Sequence, residues 1–138
     1  MAAKLIFDPS QGHMRYVCGV SGSGTNYDRI YERDPEKFHL VFSNAPGCAG
    51  VEKAKNRGVL VAALDSSRYF KDMWGLEKIP RYGVERNSFD MALMTLVEQN
   101  INGSPDLICL AGYDLWTLCP ASGQQINSPN TIMRYYLC

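Results

Sequence analysis

A glycine-rich turn is the first segment of this sequence whose residue types and spacing could do chemistry. It reads SGSGTN over residues 21–26 and follows the apolar run RYVCGV over residues 15–20. The run predicts a strand that enters a tight turn, and a helix is predicted to follow with Thr25 or Asn26 as its capping residue. The first amides of a helix have no partner within the helix, and they attract anions. The segment therefore predicts a phosphate-binding site.

Four residues form this predicted phosphate site: Ser23, Gly24, Thr25 and Asn26. Gly24 is expected to let the backbone approach an anion, and Thr25 and Asn26 add side-chain hydrogen-bond donors. The alternative is a structural turn, in which glycine supplies a positive φ and the hydroxyl side chains cap the backbone.

Two common phosphate-binding motifs do not fit the turn. A Walker A loop requires Lys directly after its second glycine, where Thr25 stands. The dinucleotide fingerprint GxGxxG requires glycine at the position of Tyr27. The turn therefore favours a ligand that carries a single phosphate over ATP or NAD.

A second candidate site follows the last apolar strand, where aromatic residues cluster in a short loop. Such a loop at the edge of a sheet could line a pocket for a flat heteroaromatic ligand. Packing of the loop by its own aromatic side chains is the alternative, and the residue types alone favour it. The candidate residues are Tyr113, Asp114, Leu115, Trp116 and Thr117.

Neither a metal site nor a catalytic residue can be identified from the sequence. The five cysteines form no CxxC pair, and no histidine lies near a cysteine at ligand spacing. Cys18 and Cys109 lie within apolar runs and are expected to be small buried residues. The two histidines, His13 and His39, have no identifiable catalytic partner.

Apolar runs alternate with helical patterns along the chain. Further strands are predicted over 38–42, 59–64 and 107–111. Helices are predicted after the glycine-rich turn, over 49–57 and over 87–101. The intervening residues 65–85 are predicted to form a loop with a short helical turn. This order predicts an α/β fold with an open, mainly parallel sheet and helices on both faces.

Composition excludes several classes of protein. The 138 residues are 46% hydrophobic, with 14 basic and 14 acidic side chains, which suits a single α/β domain over residues 1–138. The sequence has no excess of basic residues, so a nucleic-acid partner is not expected. No apolar run is long enough to span a membrane. The first 15 residues lack the apolar core of a signal peptide, so a cytoplasmic location is expected. The sequence does not indicate an oligomeric state.

Three segments together resemble one enzyme family. They are VSGSGTN at 20–26, VFSNAPGCAGVEKAKNRGV at 41–59 and PDLICLAGY at 105–113. In this order they are similar to glycinamide ribonucleotide formyltransferase, a folate-dependent enzyme of purine synthesis. The resemblance covers about residues 14–118 and implies a Rossmann-like fold.

The resemblance also implies a reaction and its ligands. The family moves a formyl group from 10-formyltetrahydrofolate to the phosphorylated substrate glycinamide ribonucleotide. By resemblance, Gly24, Thr25 and Asn26 match the residues that hold the substrate phosphate. The stretch 113–118 takes the place of the loop that contacts the pterin, largely through backbone groups.

The sequence departs from the family pattern in its last part. The family's catalytic Asn-x-His-Pro motif and a later Asp have no counterpart, and the stretch 127–129 (NSP) contains no histidine. Residues 119–138 do not match the family. Formyl transfer requires oxyanion donors and a proton shuttle, which those residues supply in the family. Two alternatives therefore stay open: a non-catalytic phosphate- or nucleotide-binding module, and a truncated gene product without function.

Overall fold

Four parallel strands form the centre of the molecule in a computed structural model, which describes residues 15–33, 35, 38–113, 117–118, 125–126 and 134–137. The strands are β1 (Tyr16–Val20), β2 (Phe38–Ser43), β3 (Leu60–Ala63), β4 (Leu107–Leu110), β5 (Thr117–Leu118), β6 (Gln125–Ile126) and β7 (Arg134–Leu137). The helices are α1 (Thr25–Arg33), α2 (Ala49–Asn56), α3 (Ser66–Trp74) and α4 (Val84–Ile101).

The main sheet has the strand order β3-β2-β1-β4-β7. The first four strands are parallel, and β7 pairs with β4 in the antiparallel direction. β5 and β6 form a separate two-stranded sheet. The predicted open and mainly parallel sheet is therefore confirmed. Within the described residues, no helix is both long and apolar enough to cross a membrane.

Helices cover both faces of the sheet, as predicted. Alternate residues of β1 point to opposite faces, so Val17 and Cys18 belong to different core clusters. On one face, α3 and α4 pack over β2, β3 and β4, and Phe70 and Phe89 lie fully inside this cluster. On the other face, α1 and α2 pack over β1, β2 and β4, and Tyr27 is the largest buried residue there.

The loop prediction for residues 65–85 was wrong for its first half. Residues 66–74 form α3, which begins after Asp65 and ends at Gly75. The Asp65 side chain accepts a hydrogen bond from the Arg68 amide at 3.1 Å, and Gly75 takes the left-handed conformation that often ends a helix. The large apolar residues of α3 recur at helical spacing, a period that the loop prediction missed: Tyr69, Phe70, Met73 and Trp74. Phe70 is buried on this face and packs against Phe89 of α4.

Arg86 and Asp90 form a buried ion pair on the face of α4 that packs against the core. The Arg86 guanidinium donates from Nε to Asp90 Oδ1 at 3.1 Å, and their side chains are 2% and 0% exposed. Arg86 also donates to the carbonyl oxygen of Pro80, which attaches the segment before α4 to the helix. Burial raises the pKa of Asp90 to about 7, against the opposing attraction of Arg86.

This raised pKa predicts how stability depends on pH. The folded chain holds the Asp90 proton more tightly than the unfolded chain does. The free energy of unfolding should therefore fall as pH rises from about 4 to about 7, by up to about 4 kcal/mol for a shift of this size. Asp90→Asn should remove this part of the pH dependence, measured by denaturant unfolding at several pH values. Asp72→Asn, at an exposed carboxylate on α3, is the control and should keep it. If the free energy of unfolding depended on pH equally in Asp90→Asn and in the unchanged chain, the prediction would be contradicted.

Candidate functional site

The glycine-rich turn lies at the carboxyl end of β1, where ligands bind in open parallel sheets. The carbonyl oxygen of Gly24 accepts the first hydrogen bond of α1, from the Asp28 amide at 2.8 Å. Gly24 thus precedes the helix, and the prediction that Thr25 or Asn26 caps it was wrong. Thr25 and Asn26 instead form the first turn of α1, where their amides have no acceptor within the helix. Ser23 and Thr25 are exposed, and Asn26 is half-buried.

Gly24 is required by a contact between the turn and α2. Its φ is +75°, and a Cβ added there would lie 2.7 Å from the Cα of Gly50. The Gly50 amide donates to the carbonyl oxygen of Gly22 at 2.9 Å, so the two backbones are joined directly. Gly50 therefore occupies the side of Gly24 on which a side chain would lie. The expected approach of an anion to the Gly24 backbone stays a prediction.

The contact brings two helix N-termini to the same corner of the sheet. α1 begins at Thr25, and α2 begins at Ala49 with Cys48 before it in an extended conformation. Both helices direct the positive end of their dipoles towards this corner, and the Gly50 amide in the first turn of α2 is already bonded to the Gly22 carbonyl oxygen. The corner is therefore electropositive even though the turn itself carries no charged side chain.

A hydrogen-bonded layer joins the carboxyl ends of β1, β2 and β3. The Ser21 hydroxyl donates to Asn44 Oδ1 at 2.6 Å, and Asn44 Nδ2 donates to Ser66 Oγ at 3.2 Å. The Ser66 amide donates to the Asn44 carbonyl oxygen at 3.1 Å. Asn44 and Ser66 are buried, so these bonds fix the start of the turn relative to the neighbouring loops.

An open cavity of about 480 Å³ adjoins this layer. Its walls come from the loop after β2, from the start of α3 and from the segment before α4. They include Asn44, Pro46, Cys48, Asp65 and Ile79. The cavity shares Asn44 with the layer that holds the turn, but none of the four predicted phosphate contacts lines it.

Two cations meet one carboxylate beside the start of α1. Lys53 Nζ lies 2.5 Å from Asp28 Oδ2, and Arg57 Nη2 lies 2.7 Å from Asp28 Oδ1. Hydrogen bonding from Lys53 holds the pKa of Asp28 below its usual value, with Arg57 acting in the same direction. The three side chains are partly exposed and together carry one net positive charge.

Arg57 is fixed by more than the ion pair. Its guanidinium lies 5.0 Å from the ring centre of Tyr27 and 4.4 Å from that of Tyr31, within the range of cation–π contact. Tyr27 is completely buried between α1 and the sheet. Arg57 therefore links α2 to α1 as a packed structural residue.

The second predicted site is only partly described. The Tyr113 side chain is 1% exposed and packs edge-on against Phe42, with ring centres 5.1 Å apart. The pair occupies the space above Gly19, where an added Cβ would lie 2.6 Å from the Phe42 ring. Tyr113 is thus a core residue through its side chain. Asp114, Leu115 and Trp116 lie outside the described residues, and Thr117 is described only as part of β5.

Sequence reasoning missed three residues that shape the glycine-rich corner. Gly50 permits the close approach of α2, Asn44 joins the strand ends, and Lys53 lies against the turn. The spacing of Gly24 and Gly50 gives no local signal, because the two meet only through the fold. In the described part of the chain, no group of three His, Cys, Asp or Glu residues could hold a metal ion.

Comparison with known proteins gives a consistent result for part of the chain. No family model matches. The trifunctional purine biosynthetic protein adenosine-3 of Gallus gallus is 30% identical over 99 residues, which cover 68% of this chain and 8% of that protein.

Two solved structures carry the comparison further. Phosphoribosylglycinamide formyltransferase from Streptococcus pneumoniae TIGR4 is 29% identical with a TM-score of 0.53, over 73% of this chain and 46% of that one. Glycinamide ribonucleotide transformylase 1 from Symbiobacterium toebii is 30% identical with a TM-score of 0.53, over 86% and 47%. The chain thus spans about half the length of these solved relatives. The resemblance stated from the sequence is confirmed for the N-terminal part of such enzymes.

The packing of Gly24 predicts which glycines of the turn are replaceable. Gly24→Ala should lower the free energy of unfolding by about 1–3 kcal/mol, because it combines a strained positive φ with a clash against Gly50. Gly22→Ala is the matched control, since nothing lies within 4 Å of the added carbon. Denaturant unfolding of both variants is the measurement. An equally small loss of stability for both would show that the approach of α2 does not constrain the turn.

Proposed function

We propose that this chain provides the ribonucleotide-binding part of a phosphoribosylglycinamide formyltransferase. Such an enzyme transfers a formyl group from 10-formyltetrahydrofolate to glycinamide ribonucleotide in purine biosynthesis. The proposal is supported by 29–30% identity to two enzymes of this type over most of the chain. The cytoplasmic location expected from the sequence stays a prediction.

The observation that carries the proposal is the glycine-rich turn with its two helix N-termini. A phosphate at this corner would meet the amides of Thr25 and Asn26 at the start of α1. The Asn26 side chain and the Ser23 and Thr25 hydroxyls are close enough in sequence to add donors to the same group. Because the backbone amides at the start of α1 lie in this turn, the binding would depend mainly on backbone groups.

The corner suits a monoester phosphate better than a nucleoside triphosphate. The turn lacks the lysine that reaches the outer phosphates of ATP, and it lacks the third glycine of a dinucleotide site. Two helix N-termini and a cluster with one net positive charge suffice to attract a single dianion. Ligand specificity beyond the phosphate would come from residues outside the turn.

The folate half of the site has less support. Among the five residues predicted to contact the pterin, only Tyr113 has a described side chain, and it is packed in the core. The described residues therefore do not form a pterin pocket by themselves. Backbone groups of the segment that follows Gly112 are our candidates for this contact, as expected from the resemblance.

No residue of this chain is proposed as the proton shuttle for formyl transfer. The transfer would require an amine held beside the formyl carbon, donors for the developing oxyanion and a group that accepts the amine proton. We propose that this chain performs the first of these tasks for the ribonucleotide. A non-catalytic phosphate-binding module is the second candidate function, since a glycine-rich turn before a helix can bind a phosphate without taking part in a reaction.

Calorimetry and an activity assay separate these functions. Glycinamide ribonucleotide should bind the chain, and formyl transfer from 10-formyltetrahydrofolate should be measurable if the chain is itself an enzyme. Binding without turnover would support the non-catalytic module. Failure to bind the ribonucleotide at all would exclude the proposed ribonucleotide-binding part of a formyltransferase.

Replacement of Asn26 tests the turn as the phosphate site. Asn26→Ala should weaken binding of glycinamide ribonucleotide by about 1–3 kcal/mol, the usual cost of losing a hydrogen bond to a charged group. The dissociation constant is measured by calorimetry. Asn87→Ala, on an exposed position of α4, is the control and should leave it unchanged. An unchanged dissociation constant for Asn26→Ala would remove this residue from the site.

A further inference from the structure

Lys53 extends from α2 across the glycine-rich turn to the first turn of α1. Its Cδ lies 3.7 Å from the position of a Cβ on Gly24, and its ammonium reaches Asp28. Asp28 is the fourth residue of α1, one helical turn beyond Gly24. The lysine side chain therefore passes directly beside the turn that we propose as the phosphate site.

The two cations on Asp28 are not held equally. Arg57 stacks on Tyr27 and Tyr31 as well as pairing with Asp28, so it is fixed in place. In the described part of the chain, Lys53 forms an ion pair with Asp28 alone, and its side chain is 35% exposed. Its flexible stem lets the ammonium move while the aliphatic part stays against Gly24.

We propose that Lys53 is a phosphate-binding residue that exchanges its ion pair with Asp28 for the ligand phosphate. This inference rests on the proposed function, because it takes the turn as the phosphate site. It adds to that site a cation that the turn lacks. It also explains why one carboxylate has two cationic partners beside a site for an anion.

The exchange does not leave Asp28 unpaired. Arg57 keeps its contact with Asp28 Oδ1 after Lys53 has moved, and the carboxylate is partly exposed to water. An ammonium released from a carboxylate and accepted by a phosphate dianion gains a partner of higher charge. The expected ligand is therefore a phosphate monoester in its dianionic form, and a neutral sugar in the same place would gain nothing from Lys53.

The test compares two lysine variants on α2. Lys53→Met keeps the aliphatic contact with Gly24 and removes the charge. Lys55→Met is the matched control, because Lys55 is exposed on the same helix. The probes are glycinamide ribonucleotide and its dephosphorylated riboside, titrated by calorimetry. Thermal unfolding of both variants verifies that they are folded.

Lys53→Met should raise the dissociation constant of the ribonucleotide at least about tenfold, the range for losing a bond between charged groups. The same variant should leave the affinity for the riboside unchanged, and Lys55→Met should change neither. An equal loss for ribonucleotide and riboside would overturn the proposal, because it would indicate a structural role for Lys53. Unchanged ribonucleotide binding would also overturn it.

The two levels of inference fail in different ways. If Asn26→Ala weakens ribonucleotide binding and Lys53→Met does not, the turn remains the phosphate site and the role of Lys53 is wrong. If the unchanged chain does not bind the ribonucleotide, both the proposed function and the role of Lys53 are wrong.

Discussion

The close approach of α2 to the glycine-rich turn determines the geometry of the candidate site. Gly24 and Gly50 allow the two backbones to meet, and the bond from the Gly50 amide to Gly22 fixes the distance. Any side chain at Gly24 would separate them. This contact places the N-termini of α1 and α2 together and brings Lys53 against the turn. The proposed anion site would thus depend on backbone packing before any charged side chain contributes.

The surrounding structure holds this corner from two sides. Ser21, Asn44 and Ser66 link the ends of three parallel strands through buried hydrogen bonds. On the helical side, Arg57 joins α2 to α1 by stacking on two tyrosines and pairing with Asp28. A turn held in this way would need little reorganisation to receive the proposed phosphate, and this would reduce the entropic cost of binding. In our proposal, Lys53 is the one side chain of this corner that changes its partner when the phosphate binds.

The fold followed from the sequence more completely than the site did. Continuous apolar runs and turn residues located β1, β2, β3 and β4 to within one or two residues, because buried parallel strands have a strong local signal. α3 was missed because its helical period spans only nine residues, and the mixed aromatic and charged residues that follow it have no period. The turn was correctly placed between β1 and α1. The contact that requires a glycine at position 24 was not predicted, because its partner, Gly50, lies 26 residues away along the chain.

The sequence by itself determined the α/β class, the alternation of strands and helices along the chain and the position of the glycine-rich turn, because each depends on residues close together in the chain. Its three family-like segments also pointed to the enzymes that comparison then found for half their length. Only the tertiary structure decided that Tyr113 packs on Phe42 in the core, that Gly24 faces Gly50, and that Lys53 crosses the turn to reach Asp28. These contacts join elements separated in sequence, and local propensity carries no information about such pairings.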